Sequence, residues 1–167
     1  FMVHHGFAWE AMRKAMEKNK KGRRIKGAST ISQQTAKNVF LWHGRNYLRK
    51  GFEAWFTLLI ELLWTKERIL EVYLNNAEMG KGIFGAEAAA RYCFDRSAQK
   101  LTRPQAALIT ATLPNPVKYN CTRPGPYIKG RQQWTLRQMQ NIGDVLDPEV
   151  RERQRERRER EQERKNK

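Results

Sequence analysis

The sequence predicts a single all-α domain of about eight helices. Three observations carry that expectation. Apolar residues recur at helical spacing between Phe52 and Leu63. Helix-start signatures recur along the chain, at Thr30 with Gln33, at Thr102 with Pro104 and Gln105, and at Asp147-Pro148-Glu149. No stretch alternates with period two, and no internal repeat is visible. At 167 residues the chain can bury a sizeable core.

The elements follow in order. Trp9 to Lys18 reads as a helix, with Trp9, Met12 and Met16 on one side. Asn19 to Lys26 is a basic loop. The next helix begins at Thr30, whose hydroxyl and the Gln33 carboxamide form a capping box. From there Gln33 and Lys37 share a face, and so do Gln34 and Asn38. His43-Gly44 is a turn. Phe52 to Leu63 carries apolar residues at 52, 55, 56, 59, 60 and 63, a face expected to be buried, its aromatics read as core rather than sugar platforms. Thr65 caps a mostly buried helix, Lys66 to Leu74. Gly80 to Gly85 is a glycine-rich loop of neither P-loop nor dinucleotide spacing. The small residues of Gly85 to Ala90 predict close helix packing. The helix opened by Thr102 stops before Pro114. Trp134 to Ile142 gives another, ended by Gly143. Beyond Asp147-Pro148-Glu149, residues 151–167 are only charged and amide, nine basic and five acidic. With no apolar face, they read as a solvated helix or a disordered tail.

Net charge is +16, which calls for an anionic partner: nucleic acid, phospholipid head groups or a pyrophosphate-bearing substrate. The charge is focused. Positions 11–50 hold twelve Lys or Arg against one acid, Glu17, whereas a merely soluble surface interleaves both signs. No run reaches the length of a membrane span, the longest, Trp55 to Trp64, being interrupted by Thr57 and Glu61. No signal peptide is visible, and the chain starts at Phe1 rather than at methionine, so the expectation is a fragment that has lost an N-terminal membrane anchor. Cys93 and Cys121 fit no metal-ligand spacing. Two buried free thiols are expected ahead of a pairing in an oxidising compartment.

The stretch Gly27-Ala28-Ser29-Thr30-Ile31-Ser32-Gln33-Gln34-Thr35-Ala36-Lys37-Asn38 concentrates the chemistry. A helix start with exposed amides, two carboxamides and a lysine suits an anionic, hydroxyl-rich ligand. Its order resembles a signature of the peptidoglycan glycosyltransferases, Gly-Gly-Ser-Thr-Ile-Thr-Gln-Gln-x-x-Lys-Asn. Five other segments resemble that family in sequence order. Phe1, His4 and Gly6 match the tail of Glu-Asp-x-x-Phe-x-x-His-x-Gly. Arg49, Lys50 and Glu53 match Arg-Lys-x-x-Glu. Lys66 to Asn75 matches Lys-x-x-Ile-Leu-Glu-x-Tyr-Leu-Asn. Gly85 to Phe94 matches Gly-x-x-x-Ala-Ala-x-x-Tyr-Phe, with Cys93 in the place of tyrosine, and Pro114 to Asn120 resembles the last motif, with Cys121 where proline is usual.

The resemblance implies a lysozyme-like helical domain over residues 1–146, incomplete at its N-terminus, with a charged tail over 147–167. It implies a monofunctional enzyme that polymerises lipid II, with inversion and release of undecaprenyl pyrophosphate. It implies Glu53 as a catalytic residue. Ser29, Thr30, Gln33, Gln34, Lys37, Asn38, Arg45, Arg49, Lys50 and His4 would bind substrate, the cations neutralising the pyrophosphate. The family's general base, the Glu of the first motif, would stand four residues before Phe1, so this chain is expected to polymerise little as it stands. No cofactor is expected to be required; a divalent cation, magnesium or manganese, near Glu53 is the one candidate. The partners implied are lipid II, the lipid-linked glycan chain and a membrane surface, with no nucleic acid. The place implied is the periplasmic face of a bacterial inner membrane. Two rivals stand beside this. A basic nucleic-acid-binding module accounts for the charge but not for the ordered motifs. A lysozyme-like glycan-cleaving enzyme needs a carboxylic acid beside the scissile bond, and Glu53 among cations is a poor proton donor.

Overall fold

A computed structural model describes residues 29–42, 44 and 46–166. The expected Trp9–Lys18 helix, the basic loop after it, and His4 and Arg45 lie outside the described residues. Among those described, the chain is mostly α-helical, with seven α-helices, one short 3-10 turn and one small hairpin. It divides into two compact units, residues 1–73 and 74–167.

In the first unit, α1 (Ile31–Phe40) packs against α2 (Tyr47–Leu63), and α3 (Lys66–Asn76) begins. The α1 capping box forms as expected. Thr30 Oγ1 accepts from Gln33 N at 3.2 Å, and Gln33 Oε1 accepts from Thr30 N at 2.9 Å. Asn46 caps α2, its Oδ1 accepting from Arg49 N at 2.6 Å. Thr65 Oγ1 caps α3 through Arg68 N at 3.2 Å. Ala36, Ile60 and Ile69 form the buried core, with Ile31, Phe56 and Trp64 against it. Phe40 stacks on Phe56 at 4.8 Å between ring centroids.

The α2 periodicity is real, but only part of the face it marks is covered: Ile60 is buried, and Phe56 and Leu59 are half-buried. Phe52, Trp55 and Leu63 are exposed, and of the six apolar positions only Ile60 is buried. The buried line is Glu53, Thr57 and Ile60, successive turns of one helical stripe. The reason lies in α1, whose buried residues are Ser32, Gln33, Thr35 and Ala36. That small, polar surface matches Glu53 and Thr57 rather than an aromatic stripe. Thr57 is satisfied locally, its Oγ1 donating to Glu53 O at 2.6 Å.

The second unit departs from the sequence expectation in three places. Gly80 to Gly85 is not a plain loop. Glu78–Gly80 (β1) and Ile83–Phe84 (β2) form an antiparallel hairpin, whose turn is closed by Gly82 N donating to Glu78 Oε1 at 3.0 Å. The strands are too short for an alternation to show. Cys93 and Cys121 are not free thiols but a disulfide, with Cα atoms 5.7 Å apart. The cysteine that replaces a tyrosine and the one that replaces a proline in the family pattern are each other's partner. The helix expected over Trp134–Ile142 is longer, α6 (Pro126–Ile142). Its true start is the Gly125-Pro126 pair, with proline in the first turn; Gly130 hid the continuity.

α3, expected to be mostly buried, buries only Ile69 and Tyr73, while, α6 apart, the helices after the hairpin begin and pack as the sequence suggests. α4 (Ala86–Phe94) and α5 (Arg103–Thr112) bury Ala89, Ala90, Ala107 and Ala111 completely, the close approach that small residues permit. Thr112 Oγ1 ties α5 to β1 by donating to Met79 O at 3.0 Å. Leu108, Ala111, Cys121 and Ile128 make the core of this unit. α7 (Pro148–Asn166) opens with Asp147 Oδ1 accepting from Glu149 N at 2.9 Å. It is a solvated helix laced by pairs such as Arg160–Glu156 at 2.9 Å.

Gly85 stands at φ +86°, and a Cβ there would sit 2.7 Å from Asn75 O. Gly85→Ala is therefore expected to destabilise the protein by about 2–4 kcal/mol. Thermal unfolding measures this; an unchanged Tm would contradict the packing described.

Candidate active site

The fully formed cap directs the start of α1 into a cleft of about 250 Å³ lined by Ser29, Gln33, Gln34, Lys37 and Glu53. α1 supplies the two carboxamides and the lysine, and α2 supplies the carboxylate. The spacing that places Gln33 and Lys37 on one turn-to-turn face thus brings both to the cleft that Glu53 also lines.

The groups differ in what they offer. Gln33 is buried and its Oε1 is committed to the cap, so its contribution to a ligand is amide N–H. Gln34 Nε2 lies 3.4 Å from Ser29 O, a long contact that a ligand can displace. Lys37 is exposed and brings a mobile ammonium. Glu53 has a side chain only 4% exposed and is held by Arg49 Nη1 at 3.5 Å and by Lys50 Nζ. Both cations sit on its own helix, three and four residues before it. Among the described residues Arg49 Nε has no hydrogen-bond partner. Arg49 and Lys50 reach the cleft through Glu53 rather than by lining it. Thr30 is the cap, and Asn38 lies exposed on the last turn of α1, one turn beyond Gln34. His4 and Arg45 lie outside the described residues.

The cleft suits an anion with hydroxyl or amide groups: cations, N–H donors and one carboxylate with its own counter-ions. Among the described residues the cleft offers a divalent cation a single carboxylate, Glu53, whose oxygens are held by Arg49 and Lys50, and no group of three His, Cys, Asp or Glu suited to a metal occurs there.

Sequence reasoning missed a second polar cluster behind α1. Ser32 is completely buried, and its Oγ donates to Glu61 Oε1. The other carboxylate oxygen of Glu61 takes Lys66 Nζ at 2.5 Å. The signal was present, since Glu61 breaks an apolar run two helical turns after Glu53, but it reads there only as an interruption.

A family model described as transglycosylase matches residues 1–140. The chain belongs to that family. It is similar to the biosynthetic peptidoglycan transglycosylase of Pseudomonas aeruginosa, 59% identical over 86% of this chain and 62% of the relative. It is likewise similar to proteins of the same name from Shewanella oneidensis, 52% identical over 92% of this chain and 66% of the relative, and from Mannheimia succiniciproducens, 54% identical over 86% and 59%. The chain thus spans about three-fifths of the length of the curated relatives it matches. The α1 signature, Glu53 and the disulfide all lie within the stretch matched by the transglycosylase family.

Proposed function

We propose that this chain carries the glycan-polymerising site of a peptidoglycan glycosyltransferase in cell-wall synthesis. The observation that carries it is the convergence of Ser29, Gln33, Gln34, Lys37 and Glu53 on one cleft, within a transglycosylase-family chain.

The reaction forms a bond between the 4-oxygen of an acceptor N-acetylglucosamine and the anomeric carbon of a donor N-acetylmuramic acid. The bond from that carbon to undecaprenyl pyrophosphate breaks, with inversion. The negative charge that grows on the pyrophosphate is what Lys37 meets, together with Arg49 and, by the family's motif, Arg45. Ser29, Gln34 and the Gln33 amide hold sugar or phosphate oxygens. Glu53 keeps Arg49 and Lys50 in one arrangement at the edge of the cleft. The proton of the attacking hydroxyl goes to a base which, by the family's first motif, belongs upstream of Phe1.

The partners follow from the same chemistry: lipid II, the growing lipid-linked chain, and a membrane surface. Among the described residues no helix is long and apolar enough to cross a membrane. α2, however, exposes Leu48, Phe52, Trp55, Leu62 and Leu63, and apolar surface beside cations suits contact with a lipid interface. The names of the relatives imply a cell-envelope location, and the disulfide suits the oxidising side of the inner membrane.

Binding of lipid II by this 167-residue chain tests the proposal. Lys37→Ala is expected to weaken binding about tenfold to a hundredfold, the loss of a hydrogen bond to a charged group, with Tm unchanged because the lysine is exposed. Equal losses in Tm and binding would mark Lys37 as structural. Salt-sensitive binding of random RNA, tighter than that of lipid II, would favour a nucleic-acid module instead.

A further inference from the structure

α1 carries three of the cleft residues, and its apolar hold on its neighbours is confined to Ile31, Ala36 and Phe40. Its buried side chains are Ser32, Gln33, Thr35 and Ala36. The apolar contacts of Ile31, Ala36 and Phe40 are non-directional and leave a helix free to slide or rotate. The Ser32–Glu61 hydrogen bond is directional and charge-assisted. It joins α1 to the last turn of α2, across 29 residues of sequence. Lys66, the first residue of α3, holds the far carboxylate oxygen. The Glu61 and Lys66 side chains are only 13% and 19% exposed, so the cluster is shielded from water and its geometry is tightly set. Glu53 and Glu61 lie on one rigid helix, about 12 Å apart along its axis. α2 therefore presents two carboxylates near α1, Glu53 lining the cleft and Glu61 bonded to Ser32.

We propose that Glu61 is a positioning residue: by gripping Ser32 it fixes the rotation and height of α1, and thereby the distances of Gln34 and Lys37 from Glu53. It touches no substrate and acts only through α1. Reacting groups tolerate displacement poorly, so the clamp shows in ligand affinity and not only in stability. The idea rests on the function proposed above, and its test separates the two.

The probe is inorganic pyrophosphate, titrated calorimetrically into the full chain at a temperature where every variant is folded. Ser32→Ala is expected to weaken binding about tenfold, and Glu61→Ala at least as much. The double variant should bind no more weakly than Glu61→Ala, because both changes break one contact. Glu61→Gln, which still accepts from Ser32, should recover most of the affinity. Wild-type affinity in folded Ser32→Ala, or additive losses in the double variant, would overturn the proposal. Should Glu61→Ala not fold, Ser32→Ala decides alone, since it removes one hydroxyl. Should the unaltered chain fail to bind pyrophosphate, the proposed function is what fails. The clamp is then judged by hydrogen exchange at the Gln34 and Lys37 amides, expected to quicken about tenfold in Ser32→Ala; unchanged exchange would overturn it.

Discussion

Glu53→Gln in a chain extended upstream of Phe1 is expected to lower lipid II polymerisation by about a hundredfold or more, while shifting Tm by only a few degrees. Glutamine keeps the shape and accepts hydrogen bonds but removes the charge that holds Arg49 and Lys50. Both cations then lose their fixed place at the edge of the cleft, where the proposed function brings the pyrophosphate. Glu53→Ala is the less informative variant, because leaving a cation beside an emptied buried position lowers stability by about 3–5 kcal/mol and mixes folding with function. Full activity with a lowered Tm in Glu53→Gln would show that this carboxylate serves only the fold.

Removing the Cys93–Cys121 disulfide is expected to destabilise the chain by about 3–4 kcal/mol, from the entropy an unfolded loop of this length regains. For a protein of this size that lowers Tm by about 10 °C. The bond pins the end of α4 beside the loop after α5, where Cys121 packs with Leu108, Ala111 and Ile128. Thermal unfolding of the Cys93→Ser/Cys121→Ser variant, and of the unaltered chain under reductant, should agree. An unchanged Tm in both would contradict the bond.

The helical class was legible because caps are local. Thr30 with Gln33 and Asp147 before Pro148 each state a helix start within four residues, and each forms. Burial was legible only in part, because it depends on the partner. The stripe of Phe52 and Trp55 announces a buried face by composition, yet α1 offers small polar residues, and Glu53 and Thr57 take the interior. Pairing across distance was not legible either. Nothing near Cys93 indicates Cys121, and nothing near Ser32 indicates Glu61. In the cleft, Gln33, Gln34 and Lys37 could be placed together because one helix carries them; their meeting with Glu53 needed the packing of α1 on α2.

The most direct measurement is glycan-chain formation from labelled lipid II by the chain extended upstream through the first motif, with products separated by length. Polymers that a muramidase digests, formed with release of undecaprenyl pyrophosphate and abolished by Lys37→Ala with Glu53→Gln, are the expected result. Unreacted lipid II, or soluble fragments cut from purified peptidoglycan in place of new strands, would contradict it.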